Sequence, residues 1–65
     1  MDETKFVGGI VIIKAKENYI IKEYLSSNKE VKCWSYSRER YVIQFWDWVG
    51  KERQRQIKYM LEEFI

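Results

Sequence analysis

The sequence predicts an α+β fold, a two-layer α/β sandwich of order β-α-β-β-α with both helices on one face of a three-stranded sheet. Three observations predict it. The apolar residues change period along the chain, from a continuous run to helical spacing, then to strict alternation, then back to helical spacing. Punctuation comes only from glycine, serine and asparagine, because the chain has no proline, so its elements follow one another closely. Finally, 65 residues make a single domain spanning 1–65, since a chain this short buries only about 60% of its unfolded surface and cannot divide its core.

Residues Phe6 to Ala15 (FVGGIVIIKA) are β-branched and apolar on both faces, as in a strand covered on both sides or lying at an interface. From about Lys16, the residues Ile20, Ile21, Tyr24 and Leu25 fall on one stripe of a helix that Ser26, Ser27 and Asn28 end. From Glu30 to Ser37, Val31, Cys33 and Ser35 alternate with Lys32, Trp34 and Tyr36, the period of a strand. The polar interruption Ser37 to Arg40 then leads into Tyr41 to Trp46 (YVIQFW), which makes the second and third strands an antiparallel hairpin with a glycine-free turn. From about Gly50, Ile57, Met60, Leu61, Phe64 and Ile65 recur at helical spacing. The expected core draws on Ile20 or Ile21, Leu25, Ile43, Phe45, Ile57, Leu61 and Phe64.

This succession of elements resembles the ferredoxin-like plait, in which the first strand lies beside the third; the plait's closing fourth strand is missing. The resemblance is one of topology. It implies a free edge on the first strand, where Val7 to Ile13 form a nearly uncharged apolar segment that invites another chain.

Composition narrows the function. With 46% hydrophobic and 17% aromatic residues the chain folds rather than remaining disordered. Histidine is absent and Cys33 stands alone, which removes disulfide frameworks and the usual zinc spacings, so no metal and no cofactor is expected. The remaining ways to stabilise so small a domain are dense packing and association. A single thiol and the lack of a long apolar run point to a cytoplasmic protein without membrane contact. A net charge of +2 is too small to imply nucleic acid by bulk electrostatics.

Catalysis finds no constellation. Cys33 has no histidine to ionise it and is expected to be a small buried packing residue. Glu62 and Glu63 are adjacent at a helix end and read as a solvated face. Asp47, between Trp46 and Trp48 just before the last helix, is expected as its N-cap. Gly8 and Gly9 precede a strand rather than a helix and lack the other residues of a phosphate loop, so they are expected to permit a bulge or a close approach. No enzyme activity and no small-molecule substrate follow.

The aromatic pattern of the hairpin is more informative. Alternation places Trp34 and Tyr36 on one face with Val42, Gln44 and Trp46, and the small residues Val31, Cys33 and Ser35 with Ile43 and Phe45 on the other. The second set fits beneath the helices, so the open face is expected to carry Trp34, Tyr36 and Trp46, more apolar surface than a monomer normally exposes. Residues Arg38 to Phe45 (RERYVIQF) are similar to the third-strand signature of the RNA-recognition motif at Arg38, Ile43 and Phe45, but Arg40 and Val42 stand where its stacking rings belong. The expected function is that of a small non-enzymatic interaction module, a homo-oligomer or the binder of another protein, using Ile10 and Ile12 at the first-strand edge or Trp34, Tyr36 and Trp46 on the sheet. The alternative is a single-stranded nucleic-acid binder with Lys32, Arg38, Arg40, Lys51, Arg53 and Arg55 as its anion contacts.

Overall fold

The computed structural model describes residues 9–64 and places the elements in the predicted order: β1 (Ile10–Lys14), α1 (Tyr19–Ser27), β2 (Val31–Tyr36), β3 (Arg40–Phe45) and α2 (Lys51–Glu62). The predicted beginning of the first strand, Phe6 to Gly8, lies outside the described residues. The sheet order is β1-β3-β2, with β3 antiparallel to both neighbours. The first strand therefore lies beside the third, and β1 and β2 run in the same direction on either side of it. The helices divide the sheet between them, α1 over β2 and α2 over β1. Ile13, Ile21, Tyr41, Ile43, Phe45 and Leu61 have no exposed surface, and Leu25, Ile57 and Val49 are nearly as buried.

The ends of the helices differ from expectation for local reasons. Helix α1 starts at Tyr19 rather than Lys16 because the Asn18 side chain caps it, with Oδ1 accepting from the Ile20 and Ile21 amides at 2.8 and 3.3 Å. The buried Tyr41 fastens this cap to the sheet, its hydroxyl accepting from the Asn18 amide at 2.7 Å. At α2 the N-cap is Gly50, which has no side chain to offer, and Asp47 does not cap. The chain takes an extra turn after β3, with the Val49 amide donating to the Trp46 carbonyl at 3.0 Å, so that Val49 reaches the core. Asp47 is thereby left upstream of the helix. Phe64, expected in the core, is half exposed just past the end of α2.

Two further corrections share one cause. Val31 faces Phe45, but Cys33 faces Gln44, so Lys32 is the extra residue of a β-bulge. A bulge advances the alternation by one position. Trp34 and Tyr36 consequently turn toward the helices and pack against the core, where Tyr36 lies 4.7 Å and Trp34 6.2 Å from the Tyr41 ring centre. Cys33 and Ser35, expected inside, are exposed.

The hairpin turn uses Arg38 and Glu39 at φ 52° and 57°. Both central residues are left-handed, the geometry that matches the twist of flanking strands and that glycine or asparagine normally supplies. Gly9 serves a close approach, since a Cβ there would run into the amide of Gln54 on α2. Gln54 is itself buried, and its amide donates to the Val49 carbonyl at 3.0 Å.

Candidate functional site

The face of the sheet away from the helices is built from alternate residues of each strand. Register places Ile10 opposite Gln44, Ile12 opposite Val42 and Lys14 opposite Arg40. On the other side of β3, Cys33 and Ser35 oppose Gln44 and Val42. Ile10 is 60% and Ile12 49% exposed, so the aliphatic centre of this face lies along β1. Trp46, 41% exposed, continues the alternation past β3, and the Lys32 ammonium lies 5.3 Å from its ring centre.

The outer edge of β1 belongs to the same surface. The Phe45 amide donates to the Gly9 carbonyl at 3.3 Å and the Ala15 amide to the Glu39 carbonyl at 3.1 Å, which fixes the odd-numbered residues of β1 as the ones bonded to β3. In an antiparallel ladder the bonded positions alternate. The amides and carbonyls of Ile10, Ile12 and Lys14 therefore point to the outer edge, which no described strand covers. The backbone that can pair and the isoleucines that are exposed are the same residues. At the other edge of the sheet β2 carries the bulge at Lys32, and a bulge and a lysine are two devices that blunt an edge. β1 has no irregularity in its register.

Of the residues expected to bind a partner, Ile10, Ile12 and Trp46 are on the open side, whereas Trp34 and Tyr36 are half-buried on the helix side. The expected aromatic platform is not assembled there; one ring of the three remains, beside Lys32. The six cations of the nucleic-acid alternative also separate. Arg38 and Arg40 belong to the hairpin end, while Lys51, Arg53 and Arg55 occupy the first turns of α2, which follows the opposite end of β3. Arg53 is engaged with Glu30, its Nε and Nη2 donating to the carboxylate at 3.0 to 3.2 Å. These bonds hold the Glu30 carboxyl below its ordinary pKa.

Sequence reasoning missed Lys14 and Lys16. Lys14 lies directly across from Arg40, in a pair of the close, non-hydrogen-bonded type. Neither has a carboxylate partner among the described residues. Alternation with Ile10 and Ile12 puts Lys14 on the open face, but the sequence has no signal for its register against Arg40. No described helix is long and apolar enough to cross a membrane. Comparison with protein-family models, with curated proteins and with solved structures found no match.

Proposed function

We propose that the protein is a small non-enzymatic interaction module that self-associates through the outer edge of β1. The carrying observation is the coincidence at Ile10 and Ile12 of outward-pointing backbone groups and exposed β-branched side chains on a regular edge strand. Strand addition at such an edge contributes main-chain hydrogen bonds, and a symmetric pair satisfies both copies with one patch. Antiparallel pairing about Val11 sets Ile10 of each copy against Ile12 of the other and keeps Lys14 away from its equivalent. A small domain without disulfides gains stability directly from burying this surface.

The experiment is light scattering over a concentration series on the parent protein and on Ile12→Pro. Because the Ile12 amide points away from β3, proline at this position removes no bond of the ladder, yet it blocks strand addition. The parent is expected to approach twice the 8.0 kDa chain mass with rising concentration. Ile12→Pro should stay monomeric with an unchanged circular dichroism spectrum. A parent that remains monomeric at high micromolar concentration defeats the proposal.

A further inference from the structure

At the hairpin end of the sheet a cleft of about 630 Å³ lies between the β1–α1 connection, the β2–β3 turn and the residues after α2. Lys14, Lys16, Arg38 and Arg40 line it, together with Glu17, Glu39 and Phe64. Glu17 is already bonded to Lys22, so Glu39 alone stands against four cations and an excess of three positive charges remains. The fold holds two of these cations side by side, since Lys14 and Arg40 are register partners across β1 and β3. Like charges directly opposite on a sheet face repel each other, and an anion bound between them removes that cost. We propose that this cleft binds a phosphorylated small molecule of nucleotide size.

The volume falls in the range of small-molecule sites, about 300 to 1,000 Å³. Charge density selects phosphate: a terminal phosphoryl group carries about −1.5 to −2 at neutral pH, so a di- or triphosphate matches the excess within one cleft, whereas a peptide brings one charge per carboxylate. The guanidinium forks of Arg38 and Arg40 suit bidentate contact with phosphate oxygens, and Lys14 and Lys16 act as point charges. The Phe64 ring, 49% exposed at the wall of the cleft, offers an apolar surface to a planar body such as a base. One copy of the chain supplies every lining residue, so the site goes beyond the self-association proposed above and does not depend on it.

Isothermal titration calorimetry at physiological salt, with ATP, inorganic tripolyphosphate and adenosine as probes, tests the site. ATP and tripolyphosphate should bind and adenosine should not. Arg40→Glu should weaken both phosphorylated probes about tenfold or more. The same change sets a carboxylate opposite Lys14, so its melting temperature should hold or rise, and unfolding does not account for the loss. Phe64→Ala should weaken ATP while leaving tripolyphosphate unchanged. The site is overturned by a parent protein that binds neither phosphorylated probe, or by Arg40→Glu binding as tightly as the parent. Equal ATP binding by Phe64→Ala overturns the assignment of a ligand with a planar body.

Discussion

Replacing Glu39 by glycine should make the protein more stable. Glu39 sits at φ 57° beside Arg38 at φ 52°, in a two-residue turn between β2 and β3. A left-handed conformation costs an ordinary L-residue about 1 to 2 kcal/mol. Glycine avoids that cost but brings about 0.5 to 1 kcal/mol of extra backbone freedom to the unfolded chain. The main-chain bonds around the turn, from the Ser37 amide to the Arg40 carbonyl and from the Ala15 amide to the Glu39 carbonyl, both at 3.1 Å, do not involve the side chain and remain. Taken at the midpoints of these ranges, the net gain is about 0.75 kcal/mol. For a domain of this size each kcal/mol moves the melting temperature by about 4 to 8 °C, so Glu39→Gly should raise it by about 3 to 6 °C. The substitution also removes the one carboxylate facing the cationic cleft that is not bonded to a cation, which leaves the mutual repulsion of the cations less compensated, a cost that salt screens. Thermal unfolding followed by circular dichroism at low and at high salt separates the two effects, and the gain should be larger at high salt. A melting temperature that is unchanged or lower at high salt would refute the reasoning, because the backbone contribution does not depend on salt.

Leu61→Ala empties a site with no exposed surface between α2 and the sheet and should cost about 2 to 5 kcal/mol, most of the stability of so small a domain; an unchanged urea midpoint would remove Leu61 from the core. Cys33, exposed on the open face, should react with a thiol reagent in the native state without prior unfolding, and Cys33→Ser should change stability by no more than about 0.5 kcal/mol; a thiol that reacts only after unfolding would place it inside. The folded-state pKa of Glu30 is lowered by Arg53, so the pair's contribution is complete above the ordinary carboxyl pKa and fades as pH falls through the lowered value. Because the Arg53 side chain is 51% exposed, that contribution is about 0.2 to 1 kcal/mol, and Glu30→Gln should lower stability at neutral pH while leaving stability at the acid end unchanged.

Much of the fold was legible in the sequence. Helical spacing in Ile21, Leu25, Ile57 and Leu61 and alternation in Tyr41, Ile43 and Phe45 identify which residues are buried, because burial of apolar side chains imposes the period of the backbone that carries them. The order of elements followed from these periods, and the place of the first strand beside the third from the resemblance they support. The faces of β2 were not legible, because a bulge at Lys32 inverts every later position of that strand and no glycine marks it. One inserted residue moves Trp34 and Tyr36 inward, sends Cys33 outward and dismantles the aromatic surface that alternation alone would build. The cap of α2 was likewise misplaced, since the demand that Val49 reach the core lengthens the connection beyond Asp47. Of the proposed interaction surface, the apolar edge residues Ile10 and Ile12 could be read from the sequence. The facing of Lys14 and Arg40, and the meeting of their charges with Lys16, Arg38 and Phe64 in one cleft, depend on the register of β1 against β3. The sequence by itself determined the periods and hence the elements and the part of the core that Leu25, Ile43, Phe45, Ile57 and Leu61 form, because those are properties of neighbouring residues, whereas the burial of Ile13 and Val49 and the exposure of Phe64 were not among them. Only the tertiary structure decided which cations share a cleft and which rings face water, because register and bulges are set by pairing between segments far apart in the chain.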